Sequence, residues 1–305
     1  MTLRAPYYQH AGVTVYHGDC LDVLPQLPDN SVDLILTDPP YFKVKGDAWD
    51  NQWNTPADFL AWLDRVLVEF ARILKPNGSL YLFASSQMSA RVECLTATRF
   101  EVLSSIVWRK NEGTHRRADR ETLREWRSQS ERIVFAAPSV ASTVEYLRAE
   151  CAAAGLSAER LSGLLGFKES SGSIGPRRYL SIEGFAPISR EHYEVLRRET
   201  GRFSADYDAV YRAFSVGTAS QYTDVWDFDT VPNHPGKHVC EKPAAMLRHM
   251  ISASSKPGAV VLDAFGGSGS TAQAARELGR SAISIELDES WCRKQAGRLK
   301  QGSLF

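Results

Sequence analysis

Thr37-Asp38-Pro39-Pro40-Tyr41 follows the apolar run Val32-Asp33-Leu34-Ile35-Leu36, and this stretch decides the fold. The apolar residues suit a buried strand, and the two prolines, which lack a backbone N–H, end it. Each proline restricts the residue before it to extended conformations, so Asp38 and Pro39 form a stiff rim of outward-pointing acceptors. Open α/β sheets bind ligands at the carboxyl ends of their strands. The stretch therefore predicts a binding site for a flat heterocycle with an exocyclic amine, although a solvated turn would account for Asp-Pro alone.

Composition sets limits on the class of protein. The 305 residues carry 36 basic and 36 acidic side chains, so any contact with nucleic acid requires local clustering of charge. The length suits one large domain or one domain with an insertion. Five scattered cysteines argue against a zinc site or a disulfide framework. The sequence has neither a leader-like start nor an apolar run of membrane length, so a soluble, cytoplasmic protein is expected.

Strands and helices alternate along the first part of the chain. Apolar runs predict strands at residues 13–16, 80–84, 102–108 and 133–136. Apolar residues at helical spacing predict a core helix from 56 to 74, ended by residues 75–78, and a second helix spans the nineties. This order predicts an α/β fold with a doubly wound, mostly parallel sheet.

Two loops beside the predicted strand ends carry further candidates. Asp19 follows the first strand, and the sequence leaves open whether it meets a ligand or caps a helix. Lys43, Lys45, Trp49 and Trp53 lie in a polar loop that suggests a mobile flap over a nucleotide, although surface lysines are often only solvated.

A second polar loop is rich in arginine. Arginine binds phosphate and bridges two acceptors on guanine, so the loop predicts contact with DNA, while an exposed helix of mixed charge is the alternative. Its candidates are Arg109, Lys110, Arg116, Arg117, Arg120, Arg124 and Arg127.

The pattern between residues 139 and 221 is entirely helical. Gly155 breaks one predicted helix and Ser157 caps the next, a pairing that resembles a helix-turn-helix but is common elsewhere. Further helices are predicted from Ser189 and Ser204, and the paired Arg177 and Arg178 are candidate DNA contacts. We interpret this block as an inserted target-recognition domain between a first catalytic part, 1–138, and a second, 222–305.

The second part holds a glycine turn between a strand and a helix, Asp263-Ala264-Phe265-Gly266-Gly267-Ser268-Gly269-Ser270-Thr271. The turn lacks both the Gly-x-Gly-x-x-Gly spacing and a Gly-Lys-Ser/Thr sequence. Asp263 would repel a pyrophosphate but tolerate the sulfonium of S-adenosylmethionine. Glu286, at the end of the next strand, can accept ribose hydroxyls, and Lys242 in His238-Val239-Cys240-Glu241-Lys242-Pro243 can bind a cofactor carboxylate.

Together these motifs resemble the β-class, circularly permuted DNA amino-methyltransferases, with Asp-Pro-Pro-Tyr first, an inserted variable region, and the cofactor motifs last. The chain departs from the family in having Val239-Cys240 where the family often has proline and a small hydroxyl residue. The helical insert is similar to those of phage-related and solitary bacterial members. The resemblance implies activity on double-stranded DNA in a bacterial or phage-infected cell, near the nucleoid, and a homodimer.

The resemblance also implies roles for individual residues. Asp38, Pro39, Pro40 and Tyr41 would form the catalytic corner for the N6 amino group of a flipped adenine. S-adenosylmethionine would contact Asp19, Cys20, Asp38, His238, Lys242, Pro243, Asp263, Phe265, Gly266, Gly267, Ser268, Gly269, Ser270, Thr271, Glu286 and Leu287. No metal is expected.

Several alternatives remain at this point. Methylation of cytosine N4 is the nearest, since that group more often has serine in place of Asp38. A non-catalytic DNA-binding regulator of the same fold, an oxidoreductase and a methyltransferase for RNA or protein amides have less support.

Overall fold

The computed structural model describes residues 5–44, 46–110, 129–139, 141–167, 175–183, 186–210, 223–234 and 236–300. The chain folds into two compact units. Within the described residues, the first unit comprises those up to 137 and from 223 onward, and the second comprises 138–210. The sequence had placed the limits of an insert at 139 and 221.

The first unit is built on a twisted sheet that is mostly parallel, as predicted. Its described strands are β1 (Tyr8–His10), β2 (Val13–His17), β3 (Val32–Thr37), β4 (Leu74–Ala84), β5 (Glu101–Arg109), β6 (Ser130–Ala137), β7 (Val225–Asp227), β8 (Val260–Asp263) and β9 (Ser281–Glu286). Their order is β1-β2-β9-β8-β3-β4-β6-β5-β7. From β2 to β4 all neighbours are parallel, whereas β1 and β6 pair antiparallel with their neighbours.

Helices cover both faces of this sheet. They are α1 (Cys20–Val23), α2 (Pro56–Ile73), α3 (Ser89–Thr96), α8 (Ala244–Ser254), α9 (Ser270–Glu277) and α10 (Glu289–Lys300). Successive side chains of a strand point to opposite faces. Accordingly, Ile35 of β3 packs in one core with Phe59 of α2, while Leu34 packs in the other core with Met246 of α8. The sheet is therefore doubly wound.

Helix α2 begins at the predicted position. Thr55 accepts a hydrogen bond from the amide of Asp58, and the Asp58 carboxylate accepts one from the amide of Thr55. This capping box, with Pro56 at the first helical position, satisfies N–H groups that have no partner within the helix.

Three strand assignments differ from the sequence predictions. Residues 75–78, expected only to end α2, already belong to β4, whose pairing with β3 shifts register between Val32 and Leu34. Strands β1 and β7 were not predicted because each has three residues, which is too short for an alternating pattern to be visible.

The second unit is helical in its described parts, with α4 (Ala141–Ala153), α5 (Ala158–Leu164), α6 (Arg190–Thr200) and α7 (Tyr207–Val210). Ser157 and Ser189 cap α5 and α6 by accepting backbone N–H bonds, as their sequence positions predicted. The helix expected from Ser204 begins at Tyr207. Fully buried Tyr193 and Phe203 lie at the centre of this unit's own core.

Within the residues that the structure describes, no helix is both long and apolar enough to span a membrane.

Candidate active site

The carboxyl ends of β3 and β8 lie side by side, which brings Asp38 and Asp263, both predicted to contact one cofactor, to the same edge of the sheet. The strands pair in parallel, with Leu34 opposite Val261 and Ile35 opposite Leu262. At their ends the Thr37 hydroxyl donates to Oδ1 of Asp263 over 2.9 Å and accepts the amide of Ala264 over 3.1 Å. These two bonds fix the Asp-Pro-Pro-Tyr corner against the start of the glycine turn.

The two carboxylate oxygens of Asp38 differ in their contacts. Its Oδ2 accepts a hydrogen bond from the Lys242 ammonium, whereas the buried Oδ1 has no hydrogen-bond partner within the described structure. Burial raises the pKa of Asp38 above its ordinary value, and the charge of Lys242 offsets part of that rise. A buried oxygen without a donor is costly, so Oδ1 is prepared to accept an N–H from a ligand.

Lys242 connects Asp38 to a second carboxylate. Its Nζ lies 3.5 Å from Oε2 of Glu131, which also accepts the Tyr41 hydroxyl over 2.9 Å. The Lys110 ammonium binds the other oxygen of Glu131. Burial would lower the pKa of Lys242, but the charges of Asp38 and Glu131 outweigh it and raise that pKa. This ammonium lines the cavity and is held by the Asp-Pro-Pro-Tyr corner, while its predicted contact with a cofactor carboxylate stays a prediction.

The loop after the corner is organised by a fully buried carboxylate, Asp50. Its oxygens accept the amides of Tyr41 over 2.6 Å and of Val44 over 2.7 Å. Phe42 and Lys43 both have positive φ angles, a conformation that side chains other than glycine disfavour. The bonds to Asp50 hold this loop in place and fix the position of Tyr41.

The glycine turn leaves no room for side chains. A Cβ at Gly266 would lie 2.0 Å from Oγ of Ser284, and one at Gly269, where φ is +76°, would lie 2.8 Å from Cγ of Gln295. Glycine is therefore required at both positions by space, and at Gly269 also by its backbone conformation.

Carboxylates stand at the other strand ends around this turn. Glu286 ends β9 and accepts the amide of Gly267 over 2.7 Å and that of Asp288 over 2.8 Å. Burial raises the pKa of Glu286 and raises that of Asp263 to about 6. Asp19 both caps α1, accepting the amide of Leu21 over 2.8 Å, and faces the site. The two interpretations of Asp19 are compatible.

These elements enclose a cavity of about 710 Å³, within the range of about 300–1,000 Å³ typical of small-molecule sites. Seven acidic side chains line it, and Lys242 is the one lysine or arginine among the described residues that do so. The acidic residues are Asp19, Asp38, Asp47, Glu241, Asp263, Glu286 and Asp288. Such a lining suits a cationic sulfonium and ammonium and disfavours a pyrophosphate.

The structure places most of the predicted cofactor residues on this cavity. Besides those just named, Cys20, His238, Phe265, Gly266, Gly267, Ser268, Ser270, Thr271 and Leu287 line it, while Pro243 and Gly269 lie beside lining residues. Trp62 and Trp291 also line it and were not predicted, because neither belongs to a sequence motif. Trp291 contacts the His238 ring edge to face, with 4.5 Å between centroids.

The predicted DNA contacts are only partly described. Lys43 donates to the carbonyl of Asn54, Arg109 forms a two-bonded pair with Asp227, and Lys110 is bound to Glu131. Arg177 and Arg178 lie in a 3-10 turn of the helical unit. Lys45, Arg116, Arg117, Arg120, Arg124 and Arg127 fall outside the described residues. All of these DNA contacts stay predictions.

The comparisons with known proteins agree on one family. The sequence pattern of a family described as DNA methylase matches residues 32–297. DNA adenine methyltransferase YhdJ of Escherichia coli (strain K12) is 26% identical over 317 aligned positions, which cover 96% of this chain and 84% of that protein.

Two further proteins are similar over most of the chain. Type II methyltransferase M.HinfI of Haemophilus influenzae is 25% identical over 310 aligned positions, covering 94% of this chain and 68% of that protein. The solved structure of the PvuII DNA methyltransferase, described as cytosine-N4-specific, superposes with a TM-score of 0.62 over 98% of this chain and 90% of that one, at 14% identity. That likeness shows the fold.

Proposed function

The chain belongs to the DNA methylase family, and from this we propose that it transfers a methyl group from S-adenosylmethionine to the N6 amino group of a flipped adenine in double-stranded DNA. The choice of an amino group rests on one observation: Oδ1 of Asp38, at the rim of the cavity, is a buried acceptor to which the described residues supply no donor. An amino nitrogen that is already flat and conjugated must give up that conjugation before it can be alkylated, and acceptors for its hydrogens favour this change.

The cofactor end of the cavity suits S-adenosylmethionine. The glycine turn allows close approach of a ligand to the backbone and is followed by the amino end of α9. Glu286, buried at a strand end, would receive ribose hydroxyls, and Asp263 would face positive charge. When bound, S-adenosylmethionine would supply the electrophilic methyl group of its sulfonium, whose S–CH3 bond breaks as the N–CH3 bond forms, and it would leave as S-adenosylhomocysteine.

The residues of the corner have separate tasks. Oδ1 of Asp38 accepts one amino hydrogen and the carbonyl of Pro39 accepts the other, which turns the nitrogen lone pair out of the ring system. Tyr41 stacks on the extruded base and replaces part of the stacking lost from the duplex, about 1–3 kcal/mol. As the nitrogen gains its bond to carbon it must lose a proton, and the Asp38 carboxylate, which accepts one of its hydrogens and whose pKa burial raises, takes that proton. Positioning and electrostatics suffice, and no covalent intermediate with the protein is needed.

Adenine is favoured over cytosine by the carboxylate at position 38 and by YhdJ, which is named an adenine methyltransferase and is similar over nearly the whole chain. Incubation of the purified protein with S-adenosylmethionine and unmethylated DNA of mixed sequence, followed by mass spectrometry of the nucleosides, tests this choice. N6-methyladenine is expected. Detection of N4-methylcytosine would show that the protein methylates the amino group of cytosine instead. A digest without modified nucleosides would exclude the activity on DNA.

The setting of the activity is part of the same proposal. We expect the protein to act in the cytoplasm on nucleoid or phage DNA and to pair as a homodimer. Sedimentation of the protein, alone and with DNA, measures whether it forms this dimer.

A further inference from the structure

Glu131 belongs to none of the sequence motifs, yet it contacts two residues of the catalytic region. It lies on β6, opposite Trp108 of β5, and only 14% of its side chain is exposed. Its Oε2 receives the Tyr41 hydroxyl over 2.9 Å and lies 3.5 Å from Nζ of Lys242, and Lys110 binds Oε1. A mostly buried carboxylate with three partners, two of them at the target-base pocket, requires an explanation beyond the packing of an antiparallel strand.

We propose that Glu131 is a positioning residue for methyl transfer, which it serves by holding the Lys242 ammonium and the Tyr41 ring in fixed places. This inference rests on the proposed function, since it assigns these partners to the pocket for the target base. Glu131 itself touches neither substrate nor cofactor in this scheme.

Glu131 acts on Lys242 because the Lys242 ammonium contacts two carboxylates, those of Asp38 and Glu131. Lys242 is buried, with 8% of its side chain exposed; its Nζ bonds to Oδ2 of Asp38 and also lies 3.5 Å from Oε2 of Glu131. Nζ also lies over two aromatic rings, 5.3 Å from the centroid of Tyr41 and 4.8 Å from that of Phe83. Without Glu131, the ammonium would be free to bridge both oxygens of Asp38. Glu131 thus keeps Oδ1 available for an amino hydrogen.

Its effect on Tyr41 is direct. The hydroxyl of Tyr41 donates to Glu131, and the backbone amide of Tyr41 donates to Asp50, so the residue is fixed at both ends. A ring fixed in this way is already oriented when a base arrives, which lowers the entropic cost of stacking.

The charges in this group balance. Asp38 and Glu131 face Lys242 and Lys110, so the cluster consists of two carboxylates and two ammonium groups. Burial opposes ionisation of Glu131, but the charges of Lys242 and Lys110 prevail and lower its pKa to about 2. Glu131 therefore remains a carboxylate wherever the enzyme works and can hold both partners continuously.

The test uses Glu131→Gln, which keeps size but removes the charge, with Glu101→Gln as the matched control. Glu101 is exposed at the start of the neighbouring strand β5. Methyl transfer to DNA is measured for kcat and KM, and S-adenosylmethionine affinity is measured by calorimetry. We expect kcat to fall by about 100-fold, the effect of a small misplacement of reacting groups, while the cofactor Kd stays within about twofold of the wild type. Glu101→Gln should match the wild type in every measurement.

Tyr41→Phe removes the donor of the hydrogen bond that Glu131 accepts, and together with Glu131→Gln it forms a double-mutant cycle. If Glu131 works through Tyr41, adding Tyr41→Phe to Glu131→Gln should cost clearly less than the product of the two single losses. Tyr41→Phe leaves the charged cluster intact and provides the test if Glu131→Gln does not fold. In that case the kcat of Tyr41→Phe must fall while its affinity for the cofactor stays unchanged.

Three results would overturn the inference. The first is a wild-type kcat in Glu131→Gln, and the second is a double variant whose loss of kcat equals the product of the two single losses. The third is a loss of thermal stability alone, with kcat per folded molecule unchanged. A wild-type protein that methylates no DNA would instead refute the proposed function, so the two failures are distinguishable.

Discussion

Replacement of Asp263 by asparagine should make the stability of the first unit less dependent on pH. Asp263 is 6% exposed, and burial raises the pKa of its carboxyl from 3.8 to about 6. A carboxyl whose pKa rises on folding contributes stability that is fully present below the unfolded-state pKa and is lost as pH rises through the folded-state pKa. The shift corresponds to about 3 kcal/mol at about 1.36 kcal/mol per unit.

Asparagine carries no charge but keeps an oxygen to accept the Thr37 hydroxyl and the amide of Phe265, which lie 2.9 and 3.1 Å from Oδ1 of Asp263. Asp263→Asn should therefore gain stability relative to the wild type as pH rises from about 4 to about 8, by about 3 kcal/mol in the free energy of unfolding.

Urea denaturation followed by tryptophan fluorescence is the suitable assay. The sequence from 138 to 210, which forms the helical unit, contains no tryptophan, so the signal does not report on that unit. Thr37→Val is the matched control, because it keeps the carboxylate and removes a donor that lowers the pKa of Asp263. Its stability loss should grow with pH. If the difference in unfolding free energy between Asp263→Asn and the wild type stayed constant across this pH range, burial would not raise the pKa of Asp263 and the reasoning would be refuted.

Three further changes have defined outcomes. Gly266→Ala places a methyl group 2.0 Å from Oγ of Ser284 and should cost about 1–3 kcal/mol of stability and weaken S-adenosylmethionine binding, measured by denaturation and calorimetry. Asp50→Ala leaves the amide of Tyr41 without its acceptor and should destabilise by about 1–3 kcal/mol, with faster proteolysis of the adjoining loop; equal cleavage rates would contradict this. Ser157→Ala removes a helix cap and should lower the stability of the helical unit by about 1 kcal/mol, seen in thermal unfolding by circular dichroism, with tryptophan fluorescence unchanged.

Local patterns were enough to predict the strand ends and their adjacency. Asp38 follows a buried strand that prolines end, and Asp263 is the last residue of a strand that leads into a glycine turn. Because parallel strands bring their carboxyl ends to one edge, these two motifs could be placed together across more than two hundred residues of chain. Ser157 and Ser189 are likewise readable, since a cap acts within its own first turn.

The partners of these motifs could not be predicted. Glu131 meets Tyr41 across a sequence separation of 90, and Lys242 meets Asp38 across 204. No local pattern distinguishes Glu131 from the other charged residues near the arginine-rich loop, so its inward orientation emerges only from the antiparallel pairing of β6 with β4 and β5. Asp50 was missed for a related reason, because its role depends on the path of the loop around it.

The central claim concerns Oδ1 of Asp38 as the acceptor for the target amino group, and Asp38→Ala tests it most directly when methyl transfer and cofactor binding are measured on one preparation. The account predicts that transfer to adenine falls by at least about 100-fold to 1,000-fold, while S-adenosylmethionine binds with nearly wild-type affinity. Wild-type transfer by the variant, or cofactor affinity lost together with activity, would contradict it.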